Sequence, residues 1–320
     1  MKHNIRITVF LLAIFILTQV FGLFLIKEAV TVVKVNGTVT LEHQDTALGE
    51  RPDMQGSQSF IFLLGGVLIG TGLVLLIIKF GKVVVWKAWY FIAVFLSISL
   101  SLGVLVDFKL AYLLAIILAV IKMSKKNPYI HNLTEVLIYS GLAVLMVPLF
   151  DIFWASMLLI FISFYDMYAV WKSKHMVKMA NFQAKTNLFA GLFIPYNEKK
   201  EVKPKLSKQK AHSSKANSKV PTPAKLISKS KNKSSSSMTK NAVLGGGDIA
   251  FPLIFSGVVM EKLMRSGIPP EIAFLKVLII SLLVTISLGT LFYFAKKDKF
   301  YPAMPFVSAG CFLGLLIVGW

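Results

Sequence analysis

The chain has 320 residues, of which 56% are hydrophobic and 16% charged, and its mean hydropathy is +0.70. A soluble globular protein has about 45–50% apolar and about 25% charged residues, so this composition excludes a soluble enzyme, a disordered protein and a coiled coil. The net charge of +20 would suggest nucleic-acid binding in a soluble chain. Of this charge, +15 lies between residues 172 and 242, where 17 lysines and two glutamates occur. We therefore predict an integral membrane protein with no nucleic-acid partner.

A helix needs about 20 mostly apolar residues to cross the hydrocarbon core of a bilayer. Nine stretches come close to this criterion, and they predict an all-α polytopic membrane protein with nine transmembrane helices. They lie at residues 5–26, 60–80, 84–106, 109–123, 133–150, 152–172, 242–260, 272–295 and 302–319. The first stretch follows Lys2 and Arg6, as in a signal peptide, but no small-residue cleavage site ends it, so we predict that it remains a span.

The lysines of the short connections indicate the orientation of the spans. With the N-terminus in the cytoplasm, the inside connections hold most of these lysines, whereas the first outside connection (residues 27–59) has more acidic than basic residues. The positive-inside rule then places the N-terminus in the cytoplasm and the C-terminus outside the cell.

The predicted organisation has three parts. Residues 1–172 form an N-terminal six-helix membrane part, residues 173–241 a basic and largely disordered cytoplasmic loop, and residues 242–320 a C-terminal three-helix membrane part. Within the loop, residues 198–241 are rich in Lys, Ser and Pro and lack apolar periodicity. This segment is either a solvated tether or a contact to anionic lipid.

Two aspartates lie within predicted spans, where ionisable groups are costly and are candidates for function. Asp166 precedes Lys172 by six residues at the inside end of span six, and Asp248 follows Lys240 by eight residues at the inside start of span seven. At 1.5 Å per residue both carboxyl groups lie about 9–12 Å inside the same membrane boundary. Two carboxyl groups in one low-dielectric site share a proton, which suits acid–base catalysis but equally an ion or proton pathway.

Glycines and prolines interrupt the helices near these aspartates. Gly245-Gly246-Gly247 precedes Asp248, and span nine opens with the prolines of Pro302-Ala303-Met304-Pro305. Irregular backbone at membrane depth is tolerated only beside protein or a water-filled cavity. The glycines let another chain approach the backbone closely, and a weakened helix start admits water, so the irregular elements converge at the depth of the aspartates.

These residues resemble the motifs of the presenilin and signal-peptide-peptidase family. Tyr165-Asp166 resembles the YD motif, the run from Leu244 to Asp248 is similar to LGxGD, and Pro302-Ala303-Met304 is similar to PAL, with Met in place of Leu. The order of the motifs, the nine spans and the long loop between the aspartates also match, so the resemblance covers nearly the whole chain. The run from Lys172 to Ala180 is most similar to archaeal members.

The resemblance implies a role for each of these residues. Asp166 and Asp248 would be the catalytic dyad, and the active site would be shaped by Tyr165, Leu244, Gly245, Gly247, Pro302, Ala303 and Met304. The protein would be an intramembrane aspartic endopeptidase in the bilayer of an archaeal cell membrane. Its substrates would be single-span membrane proteins or remnant signal peptides.

A substrate helix must unwind before its peptide bonds can be attacked. Extended backbone at Ala242 to Leu244 and at Asn187 to Tyr196 is expected to pair with the unwound substrate, because both stretches are apolar and compatible with β-structure. No metal or other cofactor is expected, since no second histidine or carboxylate stands at ligand spacing from His175.

The residues alone leave other functions open. A transporter or ion channel also places carboxylates among broken helices. A prepilin-type peptidase shares the GxGD sequence but has fewer spans, and a non-catalytic scaffold is the third alternative.

Overall fold

The computed structural model describes residues 5–35, 38–52, 54, 56–124, 127–172, 179, 182–183, 186, 188–197, 239–295 and 301–319. Within these residues nine α-helices occur, together with two pairs of β-strands. The helices are α1 (Ile5–Glu28), α2 (Ser57–Phe80), α3 (Val83–Gly103), α4 (Phe108–Ser124), α5 (Pro128–Met146), α6 (Ile152–Met167), α7 (Gly246–Arg265), α8 (Pro270–Phe294) and α9 (Met304–Val318). The strands are β1 (Val30–Val35), β2 (Thr38–His43), β3 (Gly191–Asn197) and β4 (Thr239–Gly245).

Each predicted span corresponds to one of these helices, which confirms the all-α polytopic fold. Six segments of the described chain are long and apolar enough to cross a membrane: Ile5–Glu28, Ser57–Phe80, Val83–Gly103, Pro128–Leu149, Ile152–Lys172 and Pro270–Phe294. Helix α4 has 17 residues and α9 has 15, and α7 carries four charged residues within its 20. These three helices are therefore less typical spans than the other six.

Most helix boundaries differ from the prediction by a few residues, and those of α5 and α7 differ most. Residues 242–245 form the end of strand β4, and α7 begins only at Gly246, because Gly245 has extended backbone and is the N-cap of the helix. Helix α6 and the π-helical segment Tyr168–Lys172 that continues it together span residues 152–172, as predicted. Helix α5 begins five residues before the predicted position, since the Asn127 side chain accepts a hydrogen bond from the Tyr129 N–H and caps it.

Strands β1 and β2 form an antiparallel hairpin in the connection after α1, which the sequence reasoning treated as a loop. The signal was present, since Val and Thr alternate with other residues on both sides of an Asn-Gly pair. Asn36 and Gly37 themselves lie outside the described residues. Strands β3 and β4 pair with each other in a second two-stranded sheet.

Residues 5–194 and 242–319 belong to one compact unit, and residues 195–241 to another. The structure describes only 195–197 and 239–241 of the second unit, so the predicted lipid contact of residues 198–241 falls almost wholly outside the described residues. His175 and Asn187 also lie outside them.

Helix α7 occupies the centre of the first unit and packs against α1, α5, α6, α8 and α9. Its side chains at Leu253, Phe255, Val258 and Met260 are almost completely buried. Association in a bilayer depends on close packing, so small residues lie where helices meet. A Cβ atom on Gly310 of α9, for example, would lie 2.7 Å from the Val284 Cα of α8.

Replacing Gly141 by Ala should lower the thermal stability of the detergent-solubilised protein. Its Cβ would overlap the backbone oxygen of Ser97 and force α3 and α5 apart, and overpacking of this kind costs about 1–3 kcal/mol. Gly66→Ala on α2 is the matched control, since a Cβ there meets nothing within 4 Å. Equal melting temperatures for the two variants would contradict this account of the α3–α5 contact.

Candidate active site

Asp166 is the penultimate residue of regular α6, and its side chain is buried. Its Oδ2 accepts a hydrogen bond of 3.2 Å from the backbone N–H of Met304, the first residue of α9, and the N–H of Ala303 also interacts with the carboxyl group. The first N–H groups of a helix have no partner within the helix and carry a partial positive charge. The start of α9 therefore provides the donors that this buried carboxyl group needs.

Two prolines flank the start of α9, at positions where a missing N–H does not disrupt the helix. Pro302 has no N–H, and Pro305 occupies the second position of α9, where an N–H would have no partner within the helix. Pro302 and Met304 are both buried, so the segment is part of the packed interior. One turn before Asp166, the Ser163 and Ser308 hydroxyl groups lie 2.8 Å apart and join α6 to α9 a second time.

Asp248 lies in the first turn of α7, three residues after the N-cap Gly245. Its carboxyl group accepts a hydrogen bond from the Gly245 N–H, as the acidic residue of a capping box does. Helices α6 and α7 pack together, and the carboxyl groups of Asp166 and Asp248 are close enough for their charges to interact. The structure thus brings together the two aspartates, which are 82 residues apart in the sequence.

The three glycines before Asp248 have different surroundings. A Cβ atom on Gly246 would overlap the hydroxyl oxygen of Tyr139 on α5, whereas one on Gly247 would meet Phe251 at an ordinary 3.5 Å. Gly247 is also exposed, while Gly245 lies against Asp248 itself. Of the three positions, 246 is the one where a side chain fits least well. Gly246 was not among the site residues predicted from the motifs.

Gln19 of α1 is another residue of this region that the sequence reasoning missed. The completely buried Gln19 side chain donates from Nε2 to the Ile249 carbonyl oxygen of α7, one residue after Asp248, at 3.0 Å. A single amide in the middle of an apolar span was the available signal, because such a group needs a partner inside the protein.

Tyr165, the other residue of the predicted YD motif, donates from its hydroxyl group to Thr71 Oγ1 of α2 at 3.3 Å. Helix α2 packs mainly against α3 and α6 and is exposed along most of its length. Tyr165 therefore connects the Asp166 helix to the most loosely packed of the long apolar helices in the described chain.

Leu244 lies in strand β4 directly before the glycines, and its side chain is buried, as is that of Ala242. Val243 between them is 41% exposed. The neighbouring strand β3 approaches so closely that a Cβ on Gly191 would overlap the Leu244 carbonyl oxygen. The predicted extended backbone is present in both segments, as strands β3 and β4. Strand β3 begins at Gly191, later than the predicted Asn187, and the two strands pair with each other.

Glu135 in the second turn of α5 is a buried carboxylate near the site that the sequence did not indicate. Its side chain is 1% exposed and accepts a hydrogen bond of 2.7 Å from the equally buried Lys122 ammonium group of α4. The Tyr139 hydroxyl and the Gly191 N–H also donate to Glu135. Sequence spacing does not show this cluster, because Lys122 and Glu135 lie on different helices.

Comparison with known proteins agrees with this geometry. Residues 12–319 match the model of the family described as signal-peptide peptidase, presenilin aspartyl protease. A search of curated protein sequences finds no match.

Two solved structures share the fold, and both are described as presenilin family intramembrane aspartate proteases. The structure in space group P2 has 16% sequence identity and a TM-score of 0.58, and the alignment covers 97% of this chain and 96% of the other. The structure in space group C222 has 14% identity and a TM-score of 0.55, with coverage of 96% and 94%. The chain therefore belongs to the signal-peptide peptidase and presenilin family of aspartyl proteases, and it is an intramembrane-cleaving aspartic endopeptidase.

Proposed function

We propose that Asp166 and Asp248 are the catalytic dyad of this protease and hydrolyse a peptide bond within a transmembrane helix of the substrate. The observation that carries the proposal is that the two carboxyl groups lie close enough for their charges to interact, where α6, α7 and α9 pack together, and that each has a backbone N–H donor. Two such groups in a low-dielectric site hold one proton between them. The ionised carboxyl group removes a proton from water, and the protonated one donates to the carbonyl oxygen of the scissile bond.

Backbone donors keep the dyad in place during this reaction. The Met304 N–H orients Asp166 from α9, and the Gly245 N–H orients Asp248 from its own helix start. Donors of this kind do not rotate as side chains do, so the carboxyl groups need little reorganisation when a substrate arrives. Tyr165 positions the α6 backbone through its contact with Thr71 of α2.

The outer edge of β4 is the surface that we assign to the unwound substrate. One edge of β3 pairs with β4, and along its other edge the Gly191 and Phe193 backbone groups are already bonded to side chains of α5. Strand β4 leads through Gly245–Gly247 directly to Asp248. A substrate strand added to β4 would therefore run alongside the dyad and satisfy its own backbone groups.

The substrates in this proposal are single-span membrane proteins or remnant signal peptides, cleaved near their cytoplasmic ends. The depth of the aspartates relative to Lys172 and Lys240 and the N-in, C-out topology support this choice. The lysine-rich segment 198–241 would lie on the same side, where anionic lipids attract it.

Replacing either aspartate by asparagine should abolish proteolysis. Asp166→Asn and Asp248→Asn each remove the shared proton, and loss of a catalytic group of this kind typically costs about a thousandfold or more in rate. Mass spectrometry of the products of a reconstituted single-span peptide measures the effect. Asp107→Asn, in the connection before α4, is the matched control and should cleave as the unmodified protein does.

Gly246→Ala should reduce the cleavage rate, because its methyl group collides with the Tyr139 hydroxyl and displaces the turn that carries Asp248. The double variant Gly246→Ala/Tyr139→Phe should recover part of the loss, since the nearest ring carbon would then be 3.0 Å away. Initial rates on one peptide substrate measure both. If the double variant is no faster than Gly246→Ala, the collision with the Tyr139 hydroxyl is not the cause of the lost activity.

Substrates with weaker helices should be cleaved faster, because the scissile segment must leave the helix before it can pair with β4. Two glycines in place of two alanines next to the cleaved bond destabilise the helix by about 2 kcal/mol, which corresponds to an increase in kcat/KM of up to about 30-fold. The same two glycines placed one turn outside the scissile segment are the control. Equal rates for the three peptides would contradict the unwinding step.

A further inference from the structure

Three side chains of α5 hold strand β3 along the edge that faces away from β4. Glu135 Oε2 accepts from the Gly191 N–H at 3.0 Å, and His131 Nε2 lies 2.9 Å from the Gly191 carbonyl oxygen. Asn132 accepts from the Phe193 N–H at 3.1 Å and donates to the Phe193 carbonyl oxygen at 3.0 Å. We call His131, Asn132 and Glu135 the strand clamp.

The strand clamp takes the place of a third β-strand. The N–H and C=O groups of alternate residues in a strand point to the same edge, and Gly191 and Phe193 are two residues apart. Four consecutive backbone groups on this edge are thereby satisfied by side chains instead of by another chain. Tyr90 of α3 adds a fifth contact just before the strand, since its hydroxyl donates to the Phe189 carbonyl oxygen at 3.1 Å.

This arrangement permits only one register of β3. A shift by two residues in one direction would bring Pro195, which has no N–H, to the position of Phe193 and leave the Asn132 oxygen without its donor. A shift in either direction would also place a residue with a Cβ at the position of Gly191, where it would overlap the Leu244 carbonyl oxygen. Gly191 has a φ of +145°, which side-chain-bearing residues rarely adopt.

The clamp is connected to the turn before Asp248. The Tyr139 hydroxyl donates to the same Glu135 oxygen that holds Gly191, and it lies directly against Gly246. Lys122 donates to the other Glu135 oxygen, to Thr134 at 2.9 Å and towards His131 Nδ1 at 3.4 Å. A buried ion pair is weak evidence for stability, and fixing a register is the best attested use of such groups.

The glycine at the end of β4 and the two at the start of α7 make an external clamp necessary. Gly245–Gly247 cannot by themselves fix the position of β4 relative to Asp166 and Asp248, because glycine restricts the backbone least. Strand β4 is instead aligned by β3, and β3 is aligned by α5. A substrate strand on β4 can pair in registers that differ by two residues, and each register presents a different peptide bond.

We infer that the strand clamp determines which peptide bond of the substrate faces the dyad. His131, Asn132 and Glu135 are in this view positioning residues that act through β3 and β4 and do not touch the reacting atoms. The inference rests on the proposed function, in which the substrate adds to the outer edge of β4.

Asn132→Ala tests the inference, with the products of one reconstituted membrane peptide identified by mass spectrometry. The variant loses both bonds to Phe193, so discrimination between the main bond and its neighbours two residues away should fall by roughly tenfold. Ser140→Ala on the same helix is the matched control, because the Ser140 hydroxyl donates to the Val136 carbonyl oxygen of its own helix. It should keep the product pattern of the unmodified protein.

A slower reaction with unchanged product proportions would overturn the inference, since a merely structural role changes the rate and leaves the cleavage position alone. If Asn132→Ala yields no product, His131→Ala decides in the same way, because it removes the side-chain contact to the Gly191 carbonyl oxygen and keeps the Asn132 side chain that bonds Phe193. Hydrogen exchange of residues 188–194 should rise in the clamp variants and stay unchanged in Ser140→Ala. The proposed dyad is tested separately: cleavage retained in Asp248→Asn would overturn it. The product pattern of Asn132→Ala would still show whether the strand clamp determines the cleavage position.

Discussion

The absence of water in the hydrocarbon layer is the constraint on which this structure depends, because every polar group there needs a partner within the protein. Asp166 obtains its donor from the first N–H of α9, Gln19 bonds a carbonyl oxygen near Pro252, and Glu135 pairs with Lys122. Each partner lies on a different helix from the group it satisfies. The polar groups consequently determine which helices meet, while the apolar side chains fill the space between them.

The same constraint explains why irregular backbone and carboxyl groups occur together. A helix start has free N–H groups, and a carboxyl group among apolar side chains needs donors, so the two satisfy each other at Asp166 and again at Asp248. Glycine and proline create these helix starts inside the protein. The site therefore combines the most costly side chains of the chain with its least regular backbone, which is the combination that a protease needs to hold water and an unwound peptide.

Much of the fold and part of the site were predictable from local patterns. The long apolar runs predicted the helices, and the motifs around Asp166, Asp248 and Met304 indicated the family to which the chain belongs. The roles of individual motif residues stay predictions. The β1–β2 hairpin was not predicted, although the alternation of its residues is visible in the connection after α1.

Gln19, Glu135 and Gly246 could not be assigned from the sequence, because their importance depends on neighbours that are distant along the chain. Nothing in the order of residues shows that Tyr139 fills the space in which a side chain at 246 would lie, or that Lys122 neutralises Glu135. By itself the sequence determined the number of helices and the residue types of the motifs, since hydrophobic length and backbone permissiveness are local properties. Only the tertiary structure decided which polar groups pair and that side chains of α5 bond one edge of β3, because hydrogen bonds between elements depend on how the helices pack.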